Sequence, residues 1–271
     1  MAALQFHLHA AGVLAPGLAS LADLRAVSAG ERSYAHEPLQ VPAPGMLPPQ
    51  ERRRSSVTVR LVLACIDQVL QQWPLPAEDL QSVFATDEGT GEVCQQMLGA
   101  LATTRQVSPL LFSNSVLNAP SGYFSIAWRN RQPSTAVSLG LESFASGLLC
   151  AVSDAHASGQ SILLVAYDPP MTSPLDELLP VREGTASAWI VSTGPLAAAP
   201  PPLASFTLEL VPRDSGPAPA LPSWMPPQWS AHSSAQGLAA LALLAQPGGA
   251  SLRLPLGGGL LVLQCMPREG A

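Results

Sequence analysis

Apolar and polar residues alternate along residues 3–15, A-L-Q-F-H-L-H-A-A-G-V-L-A, the period of a half-buried strand. A turn is expected at Pro16-Gly17, followed by a short helix with Ser20 as its N-cap and Gly30 as its stop. Pro38, Pro42, Pro44, Pro48 and Pro49 deny regular structure to residues 33–50. From Glu51 to about Trp73 the positions Val57, Leu61, Ala64, Cys65, Gln68 and Val69 recur near 3.6 and predict one helix, ended by Pro74. S-V-F-A-T-D at 82–87 reads as a strand, and the run from Gly91 reads as a helix. A loop after Pro109 should lead into a helix ending near Asn130, then a strand S-T-A-V-S-L, a helix through His156 and a strand S-I-L-L-V-A-Y-D. That alternation predicts a layered α/β domain with a largely parallel central sheet. Two further strands, 186–191 and 205–211, sit between proline-rich stretches and imply long irregular connections. A helix over 234–245 and a hairpin around Gly257, Gly258 and Gly259 complete the pattern.

Composition narrows the function classes. The chain has 271 residues, 47% hydrophobic and 12% charged, enough apolar material for a substantial core. A formal charge of −6 argues against nucleic-acid binding through a basic field. So few charges on so apolar a chain also suit a surface covered by another subunit, plentiful Ala and Pro being the plainer alternative. All 13 basic residues are Arg, so Schiff-base chemistry and a P-loop lysine are excluded. The N-terminus has no positive n-region, and the longest apolar runs, such as 237–245, fall short of the roughly 18 residues of a membrane span. A cytoplasmic protein with no integral membrane segment is the expectation. Cys65, Cys94, Cys150 and Cys265 are widely spaced, which suggests buried free thiols and neither a zinc site nor a disulfide framework.

The stretch G-L-E-S-F-A-S-G-L-L at 140–149 lies between a predicted strand and a predicted helix. A strand, a sharp turn and a helix together form the arrangement that presents a nucleophile where helix N-terminal N–H groups can meet an oxyanion. No nucleophile stands at this one. A damaged enzyme, an enzyme of unusual chemistry and a protein that needs no nucleophile all fit that observation.

The run N-S-V-L-N-A-P-S-G-Y-F-S-I-A-W-R-N-R-Q-P-S-T-A-V-S-L-G-L-E-S-F-A-S-G-L-L, with S-G-Q-S-I-L-L-V-A-Y-D after it, resembles the N-terminal half of β-ketoacyl synthases, of the thiolase fold. It is more similar still to the short ketosynthase-like chain-length factors of aryl-polyene and xanthomonadin-type pigment synthesis. The resemblance is clearest over residues 82–168 and extends back to residue 1 through the helix of Arg52, Arg53 and Arg54. It implies a thiolase-like α/β layered fold truncated in its C-terminal half: one domain over 1–271, with a ketosynthase-like half at 1–168 and a reduced portion at 169–271. Working ketosynthases carry a Cys at the elbow and two His and a Lys from the C-terminal half. Here the nucleophile position falls on Leu141, Glu142 or Phe144, according to the gap allowed in the turn. Phe144 keeps the following S-G aligned. Lys is absent, and the only downstream His is His232.

The resemblance therefore implies a non-catalytic subunit that pairs with a catalytic β-ketoacyl synthase to elongate polyene or fatty acyl chains on acyl carrier protein, with no cofactor and no metal. A stand-alone decarboxylase or acyltransferase working through Glu142 or Cys150, and a homodimeric acyl- or aryl-binding module, are the competing classes. Leu110, Leu111 and Phe112 match a stretch beside the ketosynthase dimer interface and are candidates for closing a tunnel in the partner, ordinary packing being the alternative. Ser134, Thr135, Ala136 and Val137 resemble the strand that pairs across the dimer axis. Arg52, Arg53 and Arg54 suit either an acidic carrier protein or a solvated helix start. Glu142 reads as an acid in place of the thiolate or as a cap favoured by the helix dipole, and Phe144 as core or as a plug. Asp87 and Glu88 read as a polar turn. His7 and His9 share a strand face without a third ligand.

Overall fold

The first apolar run forms strand β1 (Leu4–Leu14), close to the centre of an eight-stranded sheet. The structure is a computed structural model and describes residues 3–194, 196, 200–216, 219–246 and 249–267; the proline-rich connections expected around 197–202 and 216–222 lie partly outside those residues. Helices α1 (Leu21–Ser28), α2 (Pro49–Arg54) and α3 (Val57–Leu70) precede β2 (Gln81–Ala85). Then come α4 (Gly91–Thr103), α5 (Pro109–Asn114), α6 (Ala119–Trp128), β3 (Ser134–Val137), α7 (Ser143–Ser158) and β4 (Ile162–Asp168). The remainder is β5 (Thr185–Ser192), β6 (Ala204–Val211), α8 (Ser233–Ala242), β7 (Ser251–Leu256) and β8 (Gly259–Cys265).

The sheet order is β3-β2-β4-β5-β1-β6-β8-β7. The expectation of a largely parallel sheet is corrected: only β2 runs parallel to its neighbours β3 and β4, and every other adjacent pair is antiparallel. Helical crossovers favour parallel pairing, and among neighbouring strands they run only within the group β2, β3 and β4; the helices between β1 and β2 and between β6 and β7 connect strands that are not adjacent. Between β4 and β5 the chain has just one short 3₁₀ turn, Leu175–Glu177, and returns beside β4 in the opposite sense.

Helices cover both faces of the sheet. In β4, Ile162, Leu164 and Ala166 join the core under α7 and α8, while Leu163, Val165 and Tyr167 join the core under α3 and α6. β1 changes parity along its length. Phe6 and Leu8 face the same core as Ala11 and Val13, because a bulge between Leu8 and Ala10 inserts one residue. Helix α3 is the most deeply buried on its side, with Leu61, Val62, Leu63 and Ile66 almost fully covered. Each contributes about 1.5–3 kcal/mol by leaving water.

Two helix readings are corrected. Glu51 to Trp73 is not one helix, because the chain breaks at Ser55-Ser56, where Ser55 Oγ donates to Arg52 O (2.8 Å) and Ser56 Oγ caps α3 by accepting from Val59 N (3.2 Å). After Pro109 the chain is not a loop but helix α5, with Pro109 in its first turn and Ser108 Oγ accepting from Leu110 N (3.2 Å).

Candidate functional site

Strand β3, the turn and α7 form the elbow. Gly140 adopts φ +60°, Leu139 and Leu141 bridge across it, and Ser143 Oγ closes the turn by donating to Gly140 O (2.7 Å) and accepting from Leu139 N (2.8 Å). A side chain at Gly140 would be strained by the left-handed backbone.

The three candidate nucleophile positions have three different surroundings. Phe144 is fully buried, its ring centroid 5.8 Å from that of Trp189. Helix α8 comes close above it: a Cβ at Gly237 would lie 3.1 Å from Phe144 Cε2 and 2.4 Å from Ser187 Oγ. Glu142 occupies the N-cap position of α7, yet it makes no side-chain hydrogen bond to that helix. Its Oε2 accepts instead from Gly257 N (2.9 Å) in the turn between β7 and β8, so the cap position is held by that turn and not by a side-chain bond to the helix. Leu141 is 44% exposed, its carbonyl accepts from Gln236 Nε2 (2.9 Å), and it lines a cavity of about 420 Å³.

Beneath the elbow lies a buried polar cluster that sequence reasoning did not find. Asp168, at the end of β4, is 1% exposed. Its Oδ1 accepts from Asp87 N (2.8 Å) and Thr86 Oγ1 (3.2 Å), and its Oδ2 from Ser234 N (2.7 Å) in the first turn of α8, where the helix dipole favours an anion. The one signal was an acid closing an otherwise apolar strand, I-L-L-V-A-Y-D. His232, just before α8, is equally buried, and its Nδ1 lies 3.3 Å from Thr185 Oγ1, which is 2.5 Å from Ser234 Oγ. Burial lowers the His232 pKa against the opposing pull of Asp168 and Glu183. Burial, then Asp168 and Glu88, push the Asp87 carboxyl up to about 6. Asp87 is therefore no plain polar-turn residue: 9% exposed, it belongs to this cluster.

The arrangement offers little to acyl-transfer chemistry. An oxyanion requires free backbone donors, but Phe144 N already donates to Ser233 Oγ (2.8 Å) and Gly257 N to Glu142. Cys150 lies along α7, its thiol pushed up to about 11 by burial and by Asp154, so it is protonated at neutral pH. Among the described residues no group of three or more His, Cys, Asp or Glu could hold a metal ion. His7 Nδ1 and His9 Nε2 are instead hydrogen-bonded to Ser205 Oγ (2.9 Å) and Ser192 Oγ (2.8 Å).

The other sequence candidates lie on β3, α5 and α2. β3 is an edge strand, with Ser134 and Thr135 exposed and Ala136 and Val137 half-buried. On α5, Leu110 is 40% and Phe112 66% exposed, while Leu111 is half-buried. Asn114 Nδ2 ties α5 to α2 by donating to Arg54 O (3.2 Å). The three arginines divide: Arg52 Nη2 donates to Leu47 O (3.1 Å), Arg54 pairs with Glu51 (3.5 Å), and Arg53 is exposed. No helix among the described residues is long and apolar enough to cross a membrane.

Residues 26–209 match the family described as "Beta-ketoacyl synthase, N-terminal domain". No curated protein matches the sequence. Among solved structures, the ketosynthase ApeO in complex with its chain length factor ApeC from Xenorhabdus doucetiae contains a chain that superposes with a TM-score of 0.71 at 21% identity, over 96% of this chain and 99% of that one. A chain of the ishigamide ketosynthase/chain length factor gives 0.71 at 14% identity, over 97% and 99%. The ketosynthase from module 1 of the bacillaene synthase from Bacillus amyloliquefaciens FZB42 gives 0.57 at 12% identity, over 80% of this chain but only 48% of that one. These likenesses establish a shared thiolase-like fold.

Proposed function

This chain belongs to the β-ketoacyl synthase N-terminal domain family, and from that premise we propose that it is the non-catalytic half of a ketosynthase pair. In this reading it is a chain-length factor that binds a catalytic β-ketoacyl synthase in the cytoplasm and helps it elongate polyene or fatty acyl chains, of the pigment-forming kind, on acyl carrier protein. The carrying observation is the elbow. It keeps a strand, a turn and a helix, has no Cys at Leu141, Glu142 or Phe144, the alternative positions the resemblance offers for the thiolate, and uses its backbone donors internally. The comparisons support the pairing: matched chains from two ketosynthase and chain length factor complexes are covered almost end to end, against less than half of a modular ketosynthase.

The proposed contribution to the reaction is steric. Leu110, Leu111 and Phe112 would close the far end of the partner's acyl tunnel, because forcing methylenes into filled volume costs about 1–3 kcal/mol. Arg53 and Arg54 would meet the acidic carrier protein, with Arg52 holding their helix to the preceding loop. The test is reconstitution. Purified alone, the protein should neither decarboxylate malonyl-carrier protein nor form an acyl adduct; co-expressed with its neighbouring ketosynthase it should co-purify and restore elongation. Turnover by the isolated chain, or a homodimer that ignores the ketosynthase, would overturn the reading.

A further inference from the structure

The cavity beside the elbow lies wholly within this chain and has a character of its own. Pro222, Met225 and Pro226 form one wall, and Leu252, Leu254 and Pro255 of β7 form another. Prolines hold such walls in shape before anything binds, which lowers the ordering cost of capture. At about 420 Å³ the space falls within the range of small-molecule sites.

Its polar groups are few and incompletely used. Arg253, on the β7 wall, has Nη1 bonded to Ser215 O and makes no ion pair among the described residues. Its guanidinium is held against Gly216, where a Cβ would lie 2.7 Å from Nη2. From the α8 side come His232 and Gln236, whose Nε2 and Oε1 are buried without hydrogen-bond partners. An apolar cleft with an arginine that pairs with no carboxylate among the described residues matches a ligand with an apolar body and an anionic head, since a guanidinium pairs with a carboxylate through parallel N–H bonds.

We propose that this cavity is a binding site for a small amphipathic carboxylate, its head on Arg253 and its body between the proline-rich wall and β7. The site goes beyond the pairing function and can be read without the partner. Isothermal titration of the full-length protein with octanoate, benzoate and the matching amides tests it, octanoate against benzoate telling an aliphatic body from an aromatic one. At least one carboxylate should bind tenfold or more tightly than its amide, Arg253→Gln should erase that difference, and Ser223→Trp, which fills the exposed mouth, should abolish binding. Equal affinity for acid and amide, no binding at millimolar ligand, or a preference that survives Arg253→Gln would each overturn the proposal. Should Arg253→Gln fail to fold, methyl shifts of Leu252 and Leu254 on titrating the wild-type protein decide the location; shifts confined to other regions would refute it.

Discussion

Phe144 shows how one side chain fixes a local reading. Its ring fills the space between Trp189 and Gly237, so the fold uses this position for cohesion. Phe144→Cys is expected to lower stability by about 3–5 kcal/mol, the range for losing a large buried aromatic, and to create no condensing activity when malonyl- and acyl-carrier protein are supplied. Product formation by that variant alone would contradict it. Asp87 has the opposite character. Its carboxyl is raised from 3.8 to about 6, so the folded state holds the proton more tightly than the unfolded one. The cost of its charge is absent below the unfolded value, grows as pH rises through about 6, and is full above it. Asp87→Asn should therefore raise the melting temperature at pH 8 by about 2–4 °C, the shift for roughly 1 kcal/mol in a chain this size, and change it little at pH 4. Thermal melts at the two pH values check this; equal effects at both would remove charge as the cause.

The elements were largely legible because each carries its own period or punctuation. Ser20 and Gly30 bound α1, and the alternation of β1 is that of a strand. What misled was information that is not local. The helical pattern that begins at Glu51 gave no sign that Ser55 and Ser56 would break it before Val57, and strand direction cannot be read from alternation once a connection lacks a helix. The polar cluster was harder still, since Asp168, Thr185 and Ser234 come from β4, β5 and α8 and meet only through the sheet. At β3 the backbone adds a test. The carbonyls of Pro133 and Val137 accept from Ser82 N and Thr86 N of the neighbouring segment, so the alternate residues Ser134 and Ala136 turn their N–H groups outward. Ala136→Pro should thus spare the ladder to β2, leave the melting temperature within about 2 °C, and abolish co-purification with a ketosynthase. Retained pairing would exclude this edge from the interface.

At the scale of the whole molecule, helices α4 and α5 stand out from the body. Leu98 and Leu101 on α4 and Phe112 on α5 are 59%, 48% and 66% exposed, a surface a stable monomer would be expected to cover. If this arm bounds a partner's tunnel, Leu111→Ala should lengthen the products of the reconstituted pair by one or more extension units, read by mass spectrometry, with the co-purification yield unchanged. Products of unaltered length would assign the arm to packing alone. The two ends of the sheet are not alike. β3 presents unspent donors, whereas β7 carries Pro255, which has no N–H, beside the side chain of Arg253. Such an asymmetry directs strand addition to the β3 end and discourages it at the β7 end. Edge-to-edge assembly is thereby biased toward pairs and away from filaments.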